Sequence, residues 1–69
     1  MITVTPRERI VLQLLAEGMS SKQIAGQLAI SFHTVESHRK NLRAKFSARN
    51  IAEVITKAYR IEPIVQIAQ

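Results

Sequence analysis

Apolar residues recur at helical spacing in four stretches of this chain, and each stretch follows a residue that commonly caps a helix. The four caps are Thr5, Ser20, Ser31 and Asn50. After three of them a glutamate or glutamine follows three residues on and completes a capping box; these are Glu8, Gln23 and Glu53. Residues 1–4 have a strand-like composition but nothing to pair with. The pattern predicts an all-α fold, a four-helix bundle-like domain without strands.

The second and third stretches differ in length and are joined by a tight turn. The second is short, with Ile24, Ala25 and Leu28 on one narrow apolar face. The turn Ala29–Ile30 leads to the Ser31 cap, and the third stretch runs on to Phe46. A short capped helix, a tight turn and a longer helix are typical of a helix-turn-helix motif.

The third helix is amphipathic in a way that suits nucleic acid. At 100° per residue, Val35, Leu42 and Phe46 form a core stripe. The opposite face carries His33, Ser37, Lys40 and Ala44, with Glu36 at its border, and one edge carries His38, Asn41 and Lys45. A major-groove helix needs this division into a core side and a side that contacts bases. An ordinary solvated surface helix gives the same pattern, so other features of the chain must distinguish it from a DNA-contacting helix.

The outer helices are apolar over more than one face. Ile10 and Leu12 widen the first helix, which predicts either burial on two sides or a contact surface for another domain. The fourth helix has a similarly broad set, so one side is expected to pack on the core and the other on a second molecule; its members are Ile51, Ala52, Val54, Ile55, Ala58 and Tyr59. Pro63 should interrupt this helix, and residues 61–69 are expected to fray.

Charge strengthens the interpretation as a polyanion-binding domain. The 69 residues suit one domain, with a net charge of +5. Between residues 31 and 50 five cations face one acid, which gives 5 − 1 = +4; the cations are Arg39, Lys40, Arg43, Lys45 and Arg49, and the acid is Glu36. With no cysteine and only two histidines, no metal or cofactor is expected. No catalytic constellation, signal peptide or membrane span is visible, so we expect a cytoplasmic, nucleoid-associated, non-enzymatic protein.

Three segments, TPRERIVLQLLAEGMSSKQIAGQLAIS, HTVESHRKNLRAKF and RNIAEV, resemble the LuxR/GerE-type helix-turn-helix family of bacterial transcription regulators. The resemblance implies a four-helix domain with the helix-turn-helix at about residues 21–40 and a recognition helix over 32–46 in the major groove. It implies site-specific binding to double-stranded promoter DNA, as a homodimer with the fourth helix at the contact. It also suggests an upstream receiver or ligand-binding domain, with RNA polymerase as a further partner.

The resemblance assigns roles by position. The base-reading residues would be Glu36, Ser37 and Lys40. The residues at the DNA backbone would be Lys22, Thr34, His38, Asn41, Lys45 and Arg49. The dimer contact would involve Ile51, Val54 and Ala58. Independently of the resemblance, the helical pattern places five of these residues on the polar face or its edge: Ser37, His38, Lys40, Asn41 and Lys45.

Several details depart from the family pattern or leave alternatives open. Ala29 and Ser47 stand where the family usually has glycine, which costs about 1 kcal/mol each if the backbone there is left-handed. Glu36 can accept from a cytosine amino group or pair with Lys40 one turn along, and we favour the pair in the free protein. Phe32 can touch a thymine methyl group or pack over the turn, and we favour packing.

Two other functions remain compatible with the residues. One is a promoter-recognition domain like the last region of a sigma factor, which would act as a monomer. The other is a protein-interaction module that has kept the fold and lost DNA binding, which the broad apolar faces of the outer helices favour. The retained basic edge argues against the second.

Overall fold

The computed structural model describes residues 2–61, the last of these for its backbone only, and they form four helices. The helices are α1 (Pro6–Ala16), α2 (Ser21–Leu28), α3 (Phe32–Lys45) and α4 (Ile51–Ile61). No strand occurs within residues 2–61, so the all-α prediction is confirmed. The expected stop at Pro63 and residues 62–69 of the tail lie outside the described part.

The predicted caps are present at the helix starts. Thr5 and Glu8 form a complete capping box, as do Ser20 and Gln23. The Ser31 hydroxyl accepts from the Thr34 amide at 3.0 Å. These bonds satisfy amides that a helix leaves unpaired in its first turn.

The start of α4 differs from the predicted box in one half. The Glu53 amide donates to Asn50 Oδ1 at 2.8 Å, which confirms the cap. The Glu53 carboxylate, however, accepts from the amide of Arg49 at 2.9 Å, one residue before the cap. Because the chain bends at residues 49–50, the Arg49 amide is the donor within reach.

The first three helices end in the same kind of turn. In each, an amide reaches back five residues to a carbonyl, from Met19 to Leu14, from Ile30 to Ala25 and from Ala48 to Arg43. This turn needs a left-handed residue, and φ is 91° at Gly18, 56° at Ala29 and 51° at Ser47. The two non-glycine residues therefore adopt the left-handed backbone considered above, at a cost of about 1 kcal/mol each.

The core lies where α3 crosses the other helices, since α3 packs against α1, α2 and α4. The buried apolar residues are Val11, Leu12, Leu15, Ile24, Ala25, Val35, Leu42, Phe46, Val54 and Ala58. The predicted stripe of α3 is confirmed. On α1, Leu12 joins the core while Ile10 is exposed, so α1 is not buried on two opposite sides.

The core also changes the expected dimer contact. Val54 is 0% exposed and Ala58 4% exposed, because both side chains pack inside the domain. Their side chains are therefore used within the domain, and a dimer contact through α4 stays a prediction that would involve its more exposed residues. Ile51 is half-buried and packs against the same core.

Candidate nucleic-acid interface

One side of α3 is not covered by the other three helices of the described part of the chain. Val35 and Leu42 face the core, and the residues of the opposite face are exposed; these are His33, Glu36, Ser37, Lys40 and Ala44. Thr34 and Asn41 are exposed beside them. At 1.5 Å per residue, the 14 residues of α3 give a rod about 21 Å long, and its width suits a major groove about 12 Å wide.

The cations around this face divide into paired and unpaired groups. Arg39, Lys45 and Arg49 each lie within 4 Å of a carboxylate, those of Glu36, Glu8 and Glu53 respectively. Within residues 2–61, three cations of this region have no carboxylate at that distance: Lys22, Lys40 and Arg43. Unpaired exposed cations are the ones most available to phosphates.

Glu36 does not pair with Lys40. Its Oε2 accepts from the Ser21 hydroxyl at 2.5 Å and lies 3.5 Å from Arg39 Nε. The expected pair was wrong because α2 packs beside Glu36 and offers a hydroxyl. Among the described residues, Lys40 thus has no carboxylate within 4 Å and stays on the exposed face.

Lys45 is held by an acidic side chain from α1. Its Nζ lies 2.5 Å from Glu8 Oε1, although the two residues are 37 apart in sequence. Glu8 is only 3% exposed, and the Lys45 side chain is 33% exposed. Burial raises the pKa of the Glu8 carboxyl, but the hydrogen bonds from Lys45 and Thr5 outweigh it and hold that pKa below its ordinary value. The Lys45 ammonium group therefore links α3 to α1 and borders the exposed face of α3.

Two aromatic side chains complete the face. Phe32 is 48% exposed and packs edge-on against His33, with ring centroids 6.0 Å apart. Its ring lies outside the core, and whether it packs over the turn stays a prediction. His38 is half-buried, and its Nδ1 is buried without a hydrogen-bond partner among residues 2–61.

Residues 3–58 match the family model described as bacterial regulatory proteins, luxR family. The chain belongs to the LuxR family of bacterial regulatory proteins. Members of this family are transcription regulators and not enzymes. Membership of this family accounts for the four-helix fold of the chain, the order of its motifs and the exposed face of α3.

Relatives and solved structures agree with this assignment. The chain is 46% identical over 55 residues to the transcriptional regulatory protein MctR of Rhizobium johnstonii, covering 80% of this chain and 26% of that protein. It is 49% identical over 47 residues to the C4-dicarboxylate transport transcriptional regulatory protein DctR of Rhodobacter capsulatus, covering 68% and 24%. The chain thus spans about a quarter of the length of these relatives.

Two solved structures are similar to this fold. One is the response regulator ChrA of a heme-sensing two-component system, with a TM-score of 0.84, 32% identity, and coverage of 90% of this chain and 31% of that one. The other is a Vibrio cholera VqmA–ligand–DNA complex, with a TM-score of 0.79, 38% identity, and coverage of 84% and 25%.

The LuxR-type domain contains contacts that its sequence pattern did not reveal. Ser21 and Glu8 were not recognised as partners of Glu36 and Lys45. Lys57 was missed as well, although its Nζ donates to the carbonyls of Phe46 at 3.1 Å and Ser47 at 2.9 Å and so caps the end of α3. The pairing of Lys57 with Glu53, at 3.8 Å and four residues apart, does follow a spacing readable from sequence.

Within residues 2–61 no helix is long and apolar enough to cross a membrane. In the same part of the chain no group of three or more histidine, cysteine or acidic residues is placed to hold a metal ion.

Proposed function

We propose that this domain binds double-stranded promoter DNA sequence-specifically, with α3 in the major groove. The observation that carries the proposal is the exposed face of α3, where uncommitted Lys40 lies beside Ser37 and opposite a fully buried stripe. Membership of the LuxR family supports it, as does similarity to a protein solved in complex with DNA. The site residues then sort into those that read bases and those that hold phosphates.

The base-reading group comprises Glu36, Ser37 and Lys40. The Lys40 ammonium can donate to guanine O6 and N7, and the Ser37 hydroxyl can donate to or accept from any base. The Glu36 carboxylate is an acceptor only, which suits a cytosine amino group. All three are exposed on one side of α3.

The phosphate-binding group surrounds that face. Lys22, at the second position of α2, adds its charge to amides at a helix start, where anions are favoured. The other members are Thr34, His38, Asn41, Lys45 and Arg49. Lys45 and Arg49 share their charges with Glu8 and Glu53, so each should contribute less than Lys22.

The assembly of the whole protein is part of the same proposal. The chain acts as a homodimer on a two-fold related site, through the surface of α4 that remains after Val54 and Ala58 are assigned to the core. In a longer chain a receiver or ligand-binding domain precedes it, as the response-regulator names of two similar proteins suggest. RNA polymerase is the proposed further partner on promoter DNA.

A second candidate function rests on a groove between α1 and α4. Its lining combines apolar and polar side chains: Gln13, Ala16, Glu17, Ile55, Thr56 and Tyr59. A groove of this kind would suit a protein-interaction module that does not bind DNA. A sigma-like promoter domain would use the α3 face as a monomer, so a measured dimer would exclude it.

A salt titration tests DNA binding. Binding of a labelled generic duplex between about 50 and 200 mM salt should give a log–log slope of roughly −3 to −5, as a few phosphate contacts require. Lys22→Ala should weaken binding to all duplexes alike and reduce the slope by about 1. Arg60→Ala removes an exposed cation from α4 and serves as the matched control, with slope and affinity unchanged.

A selection experiment tests sequence reading. From a randomised duplex library, the wild type should enrich one sequence, and Lys40→Ala should relax the preference at one position of it. Equal loss on every sequence would remove Lys40 from base reading. Absence of binding at low salt would favour the interaction module.

A further inference from the structure

The contact between Ser21 and Glu36 joins α2 to the exposed face of α3. Ser21 is the first residue of α2 and only 8% exposed. Its hydroxyl donates to Glu36 Oε2 at 2.5 Å, across 15 residues of sequence. Arg39 Nε approaches the same oxygen at 3.5 Å. A hydrogen bond from α2 and an ion pair within α3 therefore both involve one oxygen of the carboxylate.

The other carboxylate oxygen is left for a different partner. Within residues 2–61 no donor is within hydrogen-bond distance of Glu36 Oε1, and the Glu36 side chain is 45% exposed. A glutamate side chain free to rotate would turn away from the phosphates of DNA, because like charges repel. Fixing Oε2 prevents that rotation, and the Arg39 charge offsets part of the repulsion. Oε1, on a side chain that is 45% exposed, then remains available as an acceptor.

We propose that Ser21 is a positioning residue for sequence reading: it holds Glu36 so that Oε1 accepts from the amino group of a cytosine in the major groove. Cytosine presents an amino donor there, which a carboxylate can accept. Guanine and thymine offer no donor at that edge, and the amino group of adenine lies beside the N7 acceptor, which repels a carboxylate. The base preference at one position of the DNA site thus depends on a buried hydroxyl of α2. This inference rests on the proposed DNA binding by α3.

The test compares base preferences selected from a randomised duplex library. Wild type should show cytosine at one position, and Glu36→Ala should lose that preference. Ser21→Ala should keep the preferences at all other positions but reduce that for cytosine by about threefold to tenfold, the value of one hydrogen bond. Ser21→Thr, which retains the hydroxyl, should preserve it. Should Ser21→Ala fail to fold, Ser21→Cys removes the strong donor at similar volume and should show the same loss.

Ser20→Ala is the matched control, because Ser20 is the neighbouring serine and its hydroxyl caps α2 by accepting from Gln23. It should lower the melting temperature and leave every base preference unchanged, which separates a structural effect from a positioning effect. Cytosine preference that survives Ser21→Ala but not Glu36→Ala would overturn the role of Ser21. Preference that survives Glu36→Ala would overturn the contact itself. If wild type selects no sequence, the proposed DNA binding fails first, and the inference fails with it.

Discussion

The ion pair between Lys45 and Glu8 yields a quantitative prediction about stability. Lys45→Met keeps the apolar stem of the side chain and removes its charge. Glu8 is 3% exposed and would keep only its bond from the Thr5 amide, at 3.0 Å. A buried carboxylate without its cation is strongly destabilising, because water cannot replace the lost partner. The variant should therefore be less stable than wild type at neutral pH.

The magnitude lies between those of surface and buried pairs. Surface pairs contribute up to about 1 kcal/mol, and breaking a fully buried pair costs about 3 to 5 kcal/mol. Because the Lys45 side chain is 33% exposed, we expect an intermediate loss. A loss of about 2 kcal/mol in the free energy of unfolding corresponds to a decrease of about 8 to 16 °C in melting temperature for a domain of this size.

The loss should depend on pH. In wild type the pKa of Glu8 is below its ordinary value of 4.5, so the stability it contributes is present above that value and lost as the pH falls through the folded-state pKa. In Lys45→Met, burial is less opposed and the pKa of Glu8 rises. The folded variant then takes up a proton at higher pH than wild type does. The stability difference should therefore narrow as the pH falls from about 7 to 4.

Circular dichroism melting of both proteins at several pH values measures this difference. Arg43→Met is the matched control: Arg43 is an exposed cation two residues earlier with no carboxylate within 4 Å in residues 2–61, and its loss should change stability by less than about 0.5 kcal/mol. In a double-mutant cycle, Glu8→Gln should rescue much of the loss in Lys45→Met. Equal losses in Lys45→Met and Arg43→Met, or a difference that stays constant with pH, would refute the reasoning.

Three further predictions concern the turns and caps. Ala29→Gly and Ser47→Gly should each raise the free energy of unfolding by about 0.5 to 1 kcal/mol, because glycine relieves the left-handed strain. Ala52→Gly, at an exposed helical position of α4, should lower it. Denaturant titration measures these changes, and a loss of stability in all three variants would contradict the prediction. Lys57→Met should lower the free energy of unfolding by about 1 kcal/mol, because it removes two hydrogen bonds to the end of α3. Lys40→Met is the control, and an equal loss in both variants would show that these bonds contribute nothing. Asn50→Ala should lose about 1 kcal/mol by chemical denaturation, since it removes the cap of α4; unchanged stability would mean that water replaces the cap.

Features that depend on neighbouring residues were predictable from the sequence. The four caps satisfy amides only three residues away, so the residue types and their spacing suffice to predict them. The apolar stripe of Val35, Leu42 and Phe46 follows from helical period alone. The exposed face with Ser37 and Lys40 is the other side of the same helix. The family resemblance rested on these local patterns and is confirmed.

The choice of which apolar residues of α4 enter the core required tertiary structure. Val54, Ala58 and Ile51 all belong to one broad apolar set on α4, and no helical period tells which members enter the core. Packing against α1 and α3 buries the first two and leaves Ile51 half-buried. Phe32 shows the converse, because only the path of the turn before α3 decides that its ring stays outside.

The contacts of charged residues show most clearly what the sequence predicts and what only the packing of helices decides. The sequence predicted Lys40 as the partner of Glu36, because residues four apart are neighbours on the same helix. The folded chain instead brings Ser21 to Glu36 across 15 residues and Glu8 to Lys45 across 37. The sequence by itself determined the helices, their caps and the face that α3 presents. Only the tertiary structure decided that Glu8 holds Lys45 and that Ser21 holds Glu36, because these two contacts depend on how the helices pack and not on spacing along the chain.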